Sequence, residues 1–509
     1  MYHHYKPLRN FCRELDVRSS LIEVWRIHQS IETNLPLPLG FSALNRVGIP
    51  SAKGLIHHWE LDILSREILI NAGSNRKRSL LDPKQFAIAV NLIRKITDLQ
   101  ADIAIENRVL HEMHRISQQQ FPWQGSVQKK LVRYHRIYSH KELNKILTSI
   151  TGLSISQHYA IGMIIAGHFI KKPYFNLQQS FSIIGINNEQ RDALTTKISM
   201  EFNALKERTI KTQEYDANWS YTINPLRSTP IVFFGKDINI AQCPIPSFIL
   251  ERISEGIFYD ISSHPGYEEA YGGAYQEYVG SISKQLLKGR LRVVECLPYL
   301  VKKQKKEGAD WIIEDDKSIL LLECKAKRLK LEARYKFTQE ALNEQLALMT
   351  KFLVQNYKNL RDILESRTNY NLQNRKAFPI VVTLVDWYLF AGNIHEQLSD
   401  MVMENLARLG IPVSYITDYP FTVMSIDDYE TAIQVMDAVG IDVVMSEKTS
   451  SEYCRWQMRS FVSLKYQALA NAVPHDYLRG ELELILSNCE QFGQVPAAAD
   501  AVDKVSKTL

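Results

Sequence analysis

Two apolar runs held apart by a polar turn constrain this chain more than any other feature. Trp311-Ile312-Ile313 and Ile319-Leu320-Leu321-Leu322 enclose Glu314-Asp315-Asp316-Lys317-Ser318. Runs of that length around turn-forming residues predict a β-hairpin. Charges guard its open end: Asp310 precedes the first run, and Glu323-Cys324-Lys325 continues the second. Folding the segment back near Asp316 brings Asp310 opposite Glu323. Side chains alternate along a strand, so Glu323 and Lys325 share one face and Cys324 points to the other. Two carboxylates and an ammonium then converge beside apolar neighbours, where each charge needs compensation.

A divalent cation supplies that compensation. Mg²⁺ takes hard oxygen ligands and commonly uses one or two carboxylates together with a phosphate oxygen. Such an ion lowers the pKa of water and polarises a phosphoryl group, and a neighbouring ammonium stabilises charge in the transition state. The plainer reading is a structural hairpin with a surface ion pair from Glu323 to Lys325 or Lys327. Three charges beside an unbroken apolar run speak against a solvated face.

The flanking sequence extends the pattern. Tyr267 to Leu287 reads as a helix, Leu291 to Leu297 as a strand, and the hairpin follows. Ala333 to Leu364 reads as a helix and Phe378 to Val385 as a buried strand. The expected order is α-β-β-β-α-β. Over about residues 264–420 the chain resembles the PD-(D/E)xK nuclease superfamily, whose fold is that of the restriction endonucleases. The motif falls on Asp310, Glu323 and Lys325. The resemblance implies a Mg²⁺ site, with Mn²⁺ as a substitute, ligated by Asp310 and Glu323. It also implies completion or orientation of that site by Glu277, catalytic assistance from Lys325, and an accessory place for Gln345. Glu268 and Glu269 compete with Glu277 on the same helix. Ala309 stands where the motif has proline, and Cys324 takes its middle position.

At 509 residues, 45% of them hydrophobic, the chain has material for several globular domains. A net charge of +5 does not by itself imply nucleic acid. Its placement says more: Arg290, Arg292, Lys302, Lys303, Lys305 and Lys306 precede Asp310, while Lys325, Lys327, Arg328 and Lys330 follow it. Basic residues around an acidic site suit a phosphate backbone, or else form a solubilising loop. The six cysteines (Cys12, Cys243, Cys296, Cys324, Cys454 and Cys489) lack metal-ligand or disulfide spacing, which favours a reducing cytoplasm. The amino terminus has no signal-peptide core, and the apolar run Tyr159 to Ile170 is too short to span a bilayer. No membrane association is expected.

The anticipated fold class is α+β and multidomain: a helical domain over 1–225, a hairpin-helix connector over 226–262, the nuclease-like core over 263–420, and a mainly helical region over 421–509. In the first part, Phe86 to Ile116, Val127 to Ile150, Ser156 to Ile170 and Asn188 to Arg208 have helical periodicity. Ile231 to Ala241 predicts a short hairpin, and Ser247 a cap for a helix over Phe248 to Phe258. Pro412 to Ile416 is a further strand candidate. His57-His58, His111, His114 and His135 suggest packed or solvated imidazoles, because no third metal ligand is evident in sequence. GxxxxGK[ST], HExxH and GxSxG are absent, which weakens ATPase, protease and esterase readings.

These observations predict a metal-dependent nuclease, DNA being favoured over RNA. By analogy with nuclease subunits of bacterial restriction and anti-phage systems, its setting is antiviral defence. Two alternatives stay open: an RNase of the same chemistry, for example one cutting tRNA, and an inactive nuclease-like fold kept for nucleic-acid binding or assembly. The pattern also leaves room for a partner protein from a defence operon or for a second copy of the chain.

Overall fold

Side-chain alternation and helix periodicity resolve into an α+β molecule with mixed sheets. The computed structural model describes residues 2–33, 36–37, 51–301, 303–328, 339–387, 392–474 and 477–491, without the side chains of 103–111, 339, 392–393 and 488–491. The chain divides into two compact units, one comprising residues 1–267 with 478–509, the other residues 268–477.

The first unit is built mainly from helices. Those used below are α1 (Tyr2–Cys12), α2 (Val17–Thr33), α3 (His58–Asn71), α4 (Pro83–Gln120), α5 (Ile155–Lys171), α6 (Phe202–Thr212) and α7 (Ser247–Ile253). α4 starts where Asp82 accepts from the Lys84 amide and Pro83 occupies the first turn, a favourable helix entry. Leu8, Leu21, Leu64, Phe86 and Phe248 join one apolar core. Within it, Glu67 accepts from Tyr5, Arg66 and Trp219, so its buried charge is both paired and hydrogen-bonded.

Short strands β1 (Tyr174–Phe175), β2 (Ser199–Glu201), β3 (Ile231–Phe234) and β4 (Asp237–Gln242) form a sheet in the order β1-β4-β3-β2. The hairpin expected over 231–241 is present, with Gly235 at φ +61° in its turn. Residues 226–262 do not stand apart as a connector: β3 and β4 pair within this sheet, and Val232, Ile245 and Phe248 lie in the unit's core. The helix foreseen over 248–258 is shorter. α7 ends at Ile253, and Arg252 turns back to bond the Gly256 carbonyl and Asp260. The helical run at 188–208 is likewise interrupted by β2, which pairs in parallel with β3. The terminal helix Arg479–Gln491 also belongs here, its Glu481 paired with Arg136, so the expected region 421–509 is divided between the units.

The second unit holds α8 (Tyr267–Leu286), β5 (Arg292–Glu295), β6 (Tyr299–Val301), β7 (Gln304–Lys306), β8 (Trp311–Glu314), β9 (Ser318–Lys325), α9 (Gln339–Leu364), β10 (Lys376–Thr383), α10 (Gly392–Arg408), β11 (Thr422–Ser425) and α11 (Ile426–Val439). Its main sheet runs β11-β10-β9-β8-β5. β5, β8 and β9 pair antiparallel, whereas β10 and β11 continue parallel to β9. The order α-β-β-β-α-β is present, with the extra hairpin β6–β7 inserted before β8. Pro412–Ile416 is not a strand; a short helix, Tyr415–Asp418, begins within it, and β11 supplies the next parallel pairing. Residues 329–338 lie outside the described residues, so the expected start of α9 at Ala333 does too.

Pleating sorts the sheet's residues. Ile312, Ile319 and Leu321 enter a core with Met349, Leu353, Tyr357 and Leu360 of α9. On α8, Gly280 allows Trp311 to approach: a Cβ there would fall 2.0 Å from its Cζ2. Pro379 stands opposite Leu321 in central β10 and cannot donate to the ladder. Asn356 of α9 supplies donors beside it, to Leu321 O at 2.9 Å and Ile380 O at 3.0 Å.

Candidate active site

The β8–β9 register determines the site. Trp311 pairs with Leu322, so the next pair outward is Asp310 with Glu323. The Asp310 amide donates to Leu322 O at 3.1 Å, continuing the ladder one step past the strand. The Cys324 amide donates to Asp310 Oδ2 at 2.6 Å and fixes that carboxylate. Gly308, at φ +80°, turns the chain into this position, a conformation in which a Cβ would be strained.

Glu323 follows Leu321 on the α9 face and is 4% exposed. Lys325 lies two residues on, and its Nζ reaches Glu323 Oε1 at 2.5 Å. The same ammonium lies 5.2 Å from the centroid of the Phe352 ring on α9, a cation–π approach that steadies a charge shielded from water. Cys324 is buried on the opposite face, as alternation requires.

α9 contributes a residue that sequence reasoning missed. Asn359 donates to the Gly308 carbonyl at 3.1 Å and stands 3.5 Å from Glu323 Oε2. It therefore ties the turn before Asp310 to the carboxylate opposite. The usable signal was helical periodicity: Gln345, Phe352, Asn356 and Asn359 share one face of α9. Gln345 is buried on that face, near the start of the helix.

The electrostatics follow from burial. Loss of water pushes the Asp310 carboxyl up, against the opposing pull of the Cys324 amide and Lys325. Glu323 rises to about 7, first through burial and then through repulsion from Asp310, with Lys325 pulling the other way. Lys325 itself is held above its ordinary value: burial lowers it, but Glu323 and Asp310 outweigh that effect. With both acids ionised, two carboxylates face one ammonium and leave a deficit of one positive charge. These hard oxygen donors fit Mg²⁺ or Mn²⁺.

The other expected residues are placed differently. Glu277 is exposed on α8 and does not close with Asp310 and Glu323 into one tight donor group. The inward face of that helix is taken by Ala274, Tyr275, Tyr278 and Val279. Lys303 and Lys305 are exposed on the β6–β7 hairpin, Lys305 pairing with Glu307 at 2.8 Å. Lys306 is bound inward instead, 2.5 Å from Asp362, whose side chain is 1% exposed. Lys327 is exposed and meets Glu268 at 2.8 Å, and Arg328 is half-buried. Lys302 and Lys330 lie outside the described residues. No helix among the described residues is long and apolar enough to cross a membrane.

No protein-family model, curated protein or solved structure matches the chain.

Proposed function

We propose that the second unit hydrolyses phosphodiester bonds with a divalent cation, as a DNA endonuclease of the PD-(D/E)xK kind. One observation carries the reading: the antiparallel register sets Asp310 against Glu323, with the Lys325 ammonium 2.5 Å from the latter. Acids that burial holds above their ordinary pKa, as here for Asp310 and Glu323, are frequent at functional sites.

Asp310 and Glu323 would hold Mg²⁺ or Mn²⁺. The cation would supply Lewis acidity toward water and the phosphoryl oxygens. Asp310 is kept in place by the Cys324 amide and Glu323 by Asn359. Lys325 offsets the negative charge that grows on the phosphoryl oxygens as the new P–O bond to water forms and the ester P–O bond breaks. The water gives up a proton, and the departing alkoxide takes one. Exposed Lys303, Lys305 and Lys327 suit contacts to the phosphate backbone, which position the duplex without reading its sequence. Restriction or anti-phage defence is the setting suggested by the resemblance.

The test is incubation of the purified full-length chain with plasmid, linear duplex, single strands and tRNA, with and without Mg²⁺ or Mn²⁺. Metal-dependent DNA scission that disappears in Asp310→Asn supports the reading. Scission confined to tRNA replaces DNase by RNase. Binding of nucleic acid without scission of any substrate overturns catalysis and leaves a binding or assembly module.

A further inference from the structure

We propose that the first unit binds one divalent transition-metal ion, with Zn²⁺ the best match, through His28, Glu32 and His58. This site is separate from the carboxylates of the second unit, and the inference does not depend on the nuclease reading.

His28 and Glu32 sit one turn apart on α2, so both side chains project from the same helical face. His58 is the first residue of α3, the helix packed beside it. Each of the three offers a donor atom within 4.8 Å of the other two. His58 Nε2 lies 2.5 Å from Glu32 Oε1, and apart from that carboxylate this buried nitrogen has no hydrogen-bond partner. The His28 and His58 rings are 5.6 Å apart between centroids. Trp123 stacks on His58 at 5.1 Å with an interplanar angle of 11°, which restrains the ring.

His28 is 1% exposed, so an ion held there would be shielded from water on that side. Ligation takes a neutral imidazole and an ionised carboxylate. Ser247 Oγ of α7 stands 3.1 Å from His28 Nε2, a hydroxyl that adjoins the donors and whose proton turns with its rotor.

Donor chemistry selects the ion. Two imidazoles with one carboxylate suit zinc and its late first-row neighbours, whereas Mg²⁺ prefers an all-oxygen shell. Tetrahedral zinc with bonds of about 2.0–2.1 Å places neighbouring donors about 3.3 Å apart. That spacing lies between the closest approach in the cluster, 2.5 Å, and its widest limit, 4.8 Å. Side-chain rotation on two packed helices is then enough to close the shell, with water in the fourth position. The bound ion would clamp α2 to α3.

The experiment uses full-length protein stripped with a chelator, then titrated with ZnCl₂ by calorimetry and followed by thermal unfolding. The expected result is one equivalent of zinc taken up at these residues with a rise in Tm, and, in Asp310→Asn, neither effect from Mg²⁺. Asp310→Asn should retain both responses, which separates this site from the proposed nuclease centre. Glu32→Gln, nearly isosteric and at a half-exposed side chain, should weaken zinc by at least the roughly 10–100-fold that loss of a supporting contact costs. His58→Ala should weaken it further. Circular dichroism of the metal-free variants checks that each is folded, and Glu32→Gln keeps the test decisive if His58→Ala does not fold. Failure of the wild type to take up zinc overturns the proposal. So does uptake by folded Glu32→Gln equal to wild type. A thiolate charge-transfer band in the Co²⁺ complex would place the ion on a cysteine and overturn it as well.

Discussion

Asn359 Nδ2 donates to the carbonyl of Gly308 and stands 3.5 Å from Glu323 Oε2, so one amide braces both sides of the candidate site. In the proposed reaction its role would be positioning, because its amide meets Glu323 and the turn before Asp310. Asn359→Ala should reduce metal-dependent cleavage by about 10–100-fold, mainly through weaker Mg²⁺ binding. Raising Mg²⁺ should therefore recover much of the rate. Asn359→Asp, which puts a third carboxylate beside Glu323, should not recover it to the same extent. A Mg²⁺ titration of the initial rate checks this, and a loss that saturating Mg²⁺ leaves untouched would contradict a positioning role.

Lys325 is expected to act on the transition state. Lys325→Ala should lower the cleavage rate by about 10²–10³ while leaving duplex affinity close to wild type. The variant removes the partner of a buried acid, so a fall in Tm is also expected when metal is absent. Single-turnover rates and binding isotherms separate the two effects. A change confined to affinity would make Lys325 a phosphate contact instead.

Sequence alone made the β8–β9 hairpin legible because three signals agreed there. Apolar runs marked the strands, polar residues marked the turn, and alternation placed Glu323 and Lys325 on one face. The sequence reading could not show that Asn359 would reach Glu323, because that contact depends on how α9 lies across the sheet. Glu277 illustrates the converse: the resemblance pointed to it, but it is exposed on α8, where Ala274, Tyr275, Tyr278 and Val279 take the inward positions. The His28, Glu32 and His58 grouping was equally hidden, since its third ligand comes from another helix. Residues 226–262 read as a linker because their strands are short, yet those strands find pairing partners far away at Tyr174–Phe175 and Ser199–Glu201.

The basic residues before Asp310 should separate into two kinds. Lys305 is exposed, and Lys305→Ala should weaken nucleic-acid binding and reduce the salt slope by about one unit, with Tm unchanged. Lys306 instead neutralises Asp362, a carboxylate that also accepts from Tyr299 at 2.8 Å and Arg367 at 3.1 Å. Lys306→Ala should lower Tm and leave the salt slope nearly intact. Binding measured across a salt series, beside thermal melts, checks both. The reverse pattern would place Lys306 on the nucleic-acid track.

Glu323 gives the site a pH dependence whose sign can be worked out. Its carboxyl is raised to about 7 in the folded chain, above the ordinary value of 4.5, by burial and by Asp310. The folded state thus binds a proton that the unfolded state releases between those values. The associated stability is fully present below the unfolded pKa and is lost as pH climbs through about 7, with a slope of up to about 1.4 kcal/mol per pH unit. Metal-free wild type should lose stability relative to Glu323→Gln between about pH 5 and pH 8, because the amide resembles the protonated acid but does not titrate. The variant also deprives Lys325 of its partner, but Lys325 stays charged throughout that window. Its loss shifts the two curves apart without changing their relative slope. Mg²⁺ reverses the trend: it requires the ionised carboxylate, so its stabilisation of wild type should grow toward pH 8 and be largely absent from Glu323→Gln. Thermal melts of both proteins at several pH values, with and without Mg²⁺, provide the measurement. Parallel wild-type and variant curves, unaffected by Mg²⁺, would show that Glu323 neither titrates in this range nor holds the cation.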